Sequence, residues 1–352
     1  MRNIVGIPFG LVLLALAALA FDFLRHGGQF VDLPPQSTND CRTVELAGSA
    51  EDIQIDHARG IAYLSSLDRR AQIAGENVSG TVLRLDLGQE LLQARAALSF
   101  DPAGFRPHGM SLYLPADAAA RLFVISHPAQ PNHHVELFEQ TINGDFAPIA
   151  TIEDPLFVRP NAIAAIGPRQ FYVANDSGAR NWFERVQEVL FRRGLSSIVY
   201  YTGDSARVVD DRLRSVAGIA LSADLMRLYA SETNGKALRV YKRDLATGAI
   251  ELLERVAING SPDNLSVAAD GSVWIAVHPR SLALVRHFFN ASTPAPTMVL
   301  RYDPSASDGA RLTAIYVNHG TEISAGSVAA PYDNKFVIGS ITAPKLLICK
   351  RS

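Results

Sequence analysis

The sequence predicts an all-β fold, a six-bladed β-propeller closed by pairing of its N- and C-terminal strands, with a hydrophobic helix ahead of it. Three observations carry this expectation. A strand led by an aromatic recurs six times, at Tyr63-Leu64-Ser65, Phe123-Val124-Ile125, Tyr172-Val173-Ala174, Tyr229-Ala230-Ser231, Trp274-Ile275-Ala276 and Phe336-Val337-Ile338. The aromatics stand 45 to 62 residues apart, and a repeat of about 40–50 residues holding several short strands marks propeller blades. A second strand follows each copy, at 81–87, 134–140, 197–203, 237–243, 297–303 and 345–350. An apolar strand also precedes each copy, and in a propeller that innermost strand lines the central tunnel.

Taken from the N-terminus, residues 4–21 form an unbroken apolar run, IVGIPFGLVLLALAALAF, flanked by Arg2, Asp22 and Arg25. Its length is at the lower limit for a bilayer span and above that of an ordinary signal core. Residues 1–25 are therefore read as a membrane anchor or a cleaved signal, and both send the rest of the chain into the secretory pathway, facing the lumen or exterior. Residues 26–40 read as a linker and 41–352 as the propeller. CRTVELAG (41–48) and KLLICK (345–350) lie at opposite ends of the chain, and pairing them closes the ring. The chain has 2 cysteines, Cys41 and Cys349, which that pairing brings close enough for a disulfide in an oxidising compartment. Sequons at Asn77 and Asn290 are candidate glycosylation sites.

One segment breaks the strand pattern. NWFERVQEVLFRRG (181–194) places Trp182, Val186, Val189 and Leu190 at helical spacing. It reads either as a helix packed on the propeller or as an interfacial helix that also lids the site. The net charge is −2, which gives nucleic acid no electrostatic attraction.

The inner strands carry the chemistry. Their entry positions are Glu51-Asp52, His108-Gly109, Asn161, Ala217, Asp263-Asn264 and Ala325-Gly326. Polar residues such as those in EDIQI and PDNLSV, running straight into a buried strand, point to convergence on one axial site. Glu51, Asn161, Asp263 and Asn264 offer only carboxylate and amide oxygens, a set that favours Ca2+ over zinc or magnesium. His108, in PHG, and His127, in SHP, fall in one blade, and His278 lies in VHP. Imidazoles near a metal are candidate general bases for water. His133 and His134 read as a hairpin turn, and His57 and His319 as loops, so all four are expected to be solvated. Neither G-x-S-x-G nor H-E-x-x-H occurs, which disfavours serine hydrolase and zinc protease chemistry.

The segments SAEDIQID, FRPHGMS, FVISHP, VELF, GPRQFYVANDSG, SPDNLSV, VWIAVHP and LLIC occur in that order over residues 41–350, and together they resemble the serum paraoxonase/arylesterase family. The resemblance implies a calcium-dependent hydrolase of aryl esters and lactones, with small-molecule substrates. It implies Glu51, Asn161, Asp263 and Asn264 as ligands of a catalytic calcium, and Asp52 with the Met110 carbonyl at a structural one. It implies His108 as general base, His127 as its support, His278 in the substrate pocket, a Cys41–Cys349 disulfide, and a membrane-facing role for 4–21 and 181–194. Two positions depart from the family. Ala217 stands where an Asn ligand is expected, and Ala162 where the structural site expects an Asp. Two alternatives remain: a non-catalytic membrane-tethered propeller acting as a chaperone or assembly partner, and a strictosidine-synthase-like propeller.

Overall fold

The computed structural model describes residues 9–128 and 133–351. It contains six four-stranded antiparallel sheets arranged as the blades of a propeller. Blade 1 comprises Ser49–Asp56, Ile61–Leu67, Thr81–Asp86 and Arg95–Ala96. Blade 2 comprises Pro107–Tyr113, Arg121–Ser126, His134–Gln140 and Phe146–Ile152. Blade 3 comprises Pro160–Ala165, Phe171–Asn175, Ser196–Tyr201 and Ala206–Leu213. Blade 4 comprises Val216–Leu221, Arg227–Glu232, Ala237–Arg243 and Ile250–Ala257. Blade 5 comprises Ser261–Val267, Val273–His278, Thr297–Tyr302 and Leu312–Asn318. Blade 6 comprises Gly326–Tyr332, Lys335–Ser340 and Lys345–Lys350, and takes its outer strand, Cys41–Glu45, from the other end of the chain. Each inner strand packs beside the next, and the sixth returns to the first.

The aromatic-led strands are the second strand of every blade, as the repeat predicts. Tyr63, Phe123, Tyr172, Tyr229, Trp274 and Phe336 are each 2% exposed or less. Full burial of such a side chain stabilises by about 1.5–3 kcal/mol. The core is not one mass but six layers, each between neighbouring blades. Ile53 and Leu64 meet Val328 and Val337 between blades 1 and 6. Phe123 and Leu137 meet Phe171 and Tyr201 between blades 2 and 3. Closure is covalent as well as hydrogen-bonded. Cys41 pairs with Cys349, and the register runs on to Glu45 opposite Lys345, with a Cys41–Cys349 disulfide at its end.

The apolar N-terminal run is helical over Phe9–His26; residues 4–8 of the expected run lie outside the described residues. No helix among the described residues is long and apolar enough to cross a membrane. Gly27 and Gly28 end this helix against a second one, Ser281–Phe289. Gly28 has φ +75°, and a Cβ there would sit 2.4 Å from the Pro279 carbonyl oxygen, so only glycine allows this approach. Beyond it, the stretch expected as a linker runs along blade 5. Val31 O accepts from Arg280, His319 Nε2 bonds Pro34 O, and Ser37 N donates to Val317 O.

The expected helix at 181–194 is Trp182–Phe191, capped by Asn181 Oδ1, which accepts from Glu184 N at 3.0 Å. Its polarity is the reverse of a helix packed by its apolar side. Trp182 is 77% exposed and Phe191 61%, whereas Glu188 is buried. Glu188 accepts from Ser177 Oγ and Gly178 N, and pairs with Arg185 at 3.2 Å. Polar contacts hold this helix down and leave its aromatics facing out. Arg192 at its end pairs with Asp22, which ties it to the N-terminal helix.

Candidate active site in the tunnel

Every inner strand breaks its register near its start. The breaks fall between Ala50 and Ile53, Pro107 and Met110, Pro160 and Ala162, Val216 and Gly218, Pro262 and Leu265, and Gly326 and Val328. The residues inside the breaks are Glu51-Asp52, His108-Gly109, Asn161, Ala217, Asp263-Asn264 and Ser327. A bulge leaves residues out of the ladder and re-aims their side chains, so the fold itself builds a ring of six unladdered positions. Close packing of neighbouring bulges dictates Gly109. A Cβ there would lie 2.2 Å from the Asn161 carbonyl oxygen. The sequence expectation needs one correction in blade 6, where Ser327, not Ala325-Gly326, is the bulged residue. The run Ala-Gly-Ser carries no charge to mark which of its members leaves the ladder.

Three of these bulges are joined across blades, through Glu51, Asn264 and Ser327, while Asp263 is held from within its own blade. Asn264 Nδ2 donates to Glu51 Oε1 at 2.8 Å and to the Glu51 carbonyl at 3.1 Å. Ser327 Oγ donates to the same carbonyl at 2.7 Å. His278 Nε2 bonds Asp263 Oδ2 at 2.9 Å. Asn161 occupies the blade 3 bulge beside Gly109, while Ala217 contributes only a methyl. Glu51, Asp263 and Asn264 are 3%, 7% and 2% exposed. Burial pushes the Glu51 and Asp263 carboxyls upward, against the opposing pull of Arg69 and His278. Glu51 Oε2 and Asn161 Oδ1 are buried without a hydrogen-bond partner. Unpaired buried oxygens of this kind are costly unless something fills the site. The open donors are all oxygen, and they fit a hard cation such as calcium. Among the described residues no three His, Cys, Asp or Glu side chains group as a metal cluster; this set mixes two carboxylates with two carboxamides.

Asp52 and Met110 do meet, but through an N–H. Met110 N donates to Asp52 Oδ2 at 2.6 Å, and Ile53 N to Oδ1 at 2.7 Å. Burial first, and Glu51 second, push the Asp52 carboxyl up to about 7. Ala162 is buried and brings no oxygen from its side chain.

The histidines form a row. His108 Nε2 lies 3.8 Å from Glu51 Oε1, and its ring stands edge-on to His127 with centroids 4.9 Å apart. His127 Nδ1 bonds His133 Nδ1 at 2.8 Å. The sequence reading of His133 and His134 as solvated needs correction: His133 is third in the row, and His134 Nε2 pairs with Glu136 Oε1 at 3.0 Å. Burial pushes His108 and His127 well below the ordinary imidazole range, so both are neutral at pH 7. Arg69, from a short helix Arg69–Ile73 that the repeat pattern does not show, reaches His108 Nδ1 at 3.3 Å. At the other end of the tunnel a cavity of about 220 Å³ is lined by Ile53, Ile163, Ile219 and Leu265. Gln54, His57, Ser111 and Ser266 add polar groups to that lining.

A family model described as Arylesterase matches residues 39–350. Serum paraoxonase/arylesterase 1 of Rattus norvegicus is 28% identical over 351 residues, covering 97% of this chain and 98% of the relative. Serum paraoxonase/lactonase 3 of Oryctolagus cuniculus is 27% identical, covering 94% and 97%. Among solved structures, a luciferin-regenerating enzyme superposes with a TM-score of 0.56 at 11% identity, over 88% of this chain and 95% of its own. A protein titled putative gluconolactonase gives 0.54 at 14%, over 92% and 96%. At such identities these two speak to the fold alone.

Proposed function

The chain belongs to the arylesterase family, and from that premise we propose that it hydrolyses aryl esters and lactones with calcium in its tunnel. The observation that carries the reading is the set Glu51, Asn161, Asp263 and Asn264, raised on inner-strand bulges beside a neutral His108. When bound, calcium supplies a positive centre that polarises an ester carbonyl and favours the oxyanion. Asn264 orients the Glu51 carboxylate, and His278 orients Asp263. His108 takes the proton from the attacking water, and His127, steadied by His133, supports its ring. His278 is also the candidate substrate-binding histidine at this mouth. Asp52 with Met110 is the candidate second site, and Ala162 leaves it one carboxylate short.

Residues 1–25 act as anchor or signal in the secretory pathway. The exposed Leu11, Leu14 and Phe21 of the N-terminal helix and Trp182, Phe183 and Phe191 of the Trp182–Phe191 helix rest on a membrane surface. Asn77 and Asn290 are both exposed and remain candidate glycosylation sites. The methyl of Ala217 favours a second reading, a tethered propeller without catalysis.

One set of measurements separates the two. Purified protein is expected to hydrolyse phenyl acetate or a δ-lactone, to lose that activity in EDTA, and to lose it in Glu51→Gln, Asp263→Asn. Full activity in the double variant overturns the mechanism. No turnover, together with no calcium binding by calorimetry, selects the second reading.

A further inference from the structure

Arg69 is a buried cation with no direct ion-pair partner; Glu51 and Asp263 act on it only from longer range. It is 6% exposed. Its guanidinium donates to the Pro107 carbonyl at 2.9 Å, to His108 Nδ1 at 3.3 Å and to Ser49 Oγ at 3.4 Å. All three acceptors are uncharged, and among the described residues no carboxylate stands within ion-pair distance of it. A guanidinium cannot shed its proton in this range, so the charge persists. Burying it without an ion-pair partner is costly. Arg159, the other cation acting on these histidines, is paired with Asp176 at 3.1 Å. Arg69 therefore differs from an ordinary structural arginine.

The tunnel's own carboxylates do not resolve this, given the calcium reading on which the inference rests. A divalent cation cancels the charges of Glu51 and Asp263. Asp52 already accepts from the Ile53 and Met110 amides. Arg69 is then left at the mouth without a tunnel carboxylate to pair with directly. His108, which is partly exposed, is the route to it, because a ligand touching His108 meets the guanidinium beside it.

We infer that Arg69 makes this mouth a receptor for a carboxylate, so that the preferred ligands carry one. The carboxylate has two sources: a second acid group on the substrate, or the acid that hydrolysis releases. An anion that takes up the donors of Arg69 also releases His108 Nδ1, the lone pair that the proposed base needs. Charge-assisted pairing with an arginine fork is geometrically specific and about twice as strong as neutral hydrogen bonding.

Calorimetry with benzoate and with benzamide on the calcium-loaded protein tests this without turnover. Benzoate is expected to bind about tenfold or more tightly than its neutral isostere. Arg69→Gln is expected to remove that preference, and Arg69→Lys to retain part of it. Equal binding of the two ligands by the wild-type protein overturns the inference even if neither variant folds. Kinetics then separate the sources. If the substrate's own acid is recognised, the kcat/KM ratio of 4-acetoxybenzoate to phenyl acetate falls about tenfold in Arg69→Gln, through KM. If the released acid is recognised, that ratio holds while benzoate inhibition weakens by a similar factor, which also supports a carboxylate receptor. Benzoate preference without hydrolysis of any ester would sink the hydrolase reading and leave the role of Arg69 standing.

Discussion

Replacing Cys41 and Cys349 together by serine opens the covalent ring without deleting a strand. The two residues are 308 apart in sequence. In the chain-entropy model, a cross-link closing a loop of that length restricts the unfolded chain by about 5.7 kcal/mol at 25 °C. Unfolding entropy of about 2.1 cal/mol/K per residue over this chain gives about 0.7 kcal/mol/K, so the loss corresponds to about 8 °C in Tm. The outer strand Cys41–Glu45 cannot make up the difference, because Val44 is its one fully buried side chain. Guanidinium titration of both proteins, followed by tryptophan fluorescence, measures the loss, and amide exchange over 41–45 is expected to quicken in the variant. If the two midpoints coincide at equal m-value, covalent closure contributes nothing and the argument from ring topology fails.

Other outcomes follow from the same geometry. Calcium at a hundred times its Kd stabilises by about 2.7 kcal/mol, or about 4 °C here, and magnesium by less; melting curves identical in calcium and EDTA refute the site. His26, at the end of the N-terminal helix, is pushed down to about 4, by burial first and then by Lys236 and Arg192. Because its docked pKa lies below the free value of 6.5, docking is complete above pH 6.5 and weakens as pH falls towards 4. Proteolysis after Arg25 is expected to be faster at pH 5 than at pH 7.5, and equally fast at both in His26→Gln. Phe171→Ala removes a fully buried ring and is expected to cost about 3–5 kcal/mol. Trp182→Ala, at an exposed position, is expected to stay within about 0.5 kcal/mol; equal losses in denaturant titration would contradict the packing described.

What the sequence displays follows from what is local. An aromatic-led strand with turn residues before it is a short-range pattern, and all six copies fell where the repeat put them. Glu51-Asp52 and Asp263-Asn264 were legible because charge inside an apolar strand has to be accommodated, and a bulge accommodates it. Ser327 was not, since small neutral residues leave no such mark. The face of the 182–191 helix was hidden for another reason. Helical spacing tells which residues share a side, and only Ser177 and Gly178, brought up from the preceding loop to hold Glu188, decide which side turns inward.

Arg69 shows the limit most clearly. In the run Ser66-Leu67-Asp68-Arg69-Arg70-Ala71-Gln72 it reads as one of two adjacent surface arginines. The structure separates them. Arg70 bonds the His287 carbonyl at 2.8 Å on the outer side, while Arg69 turns into the tunnel. That choice is made by groups far along the chain: the Pro107 carbonyl freed by the blade 2 bulge, and the His108 ring beside it. The bulges that raise the oxygen donors thus also create the acceptors that draw a cation in, so the charge at the tunnel mouth is a product of the propeller's topology and of no single motif.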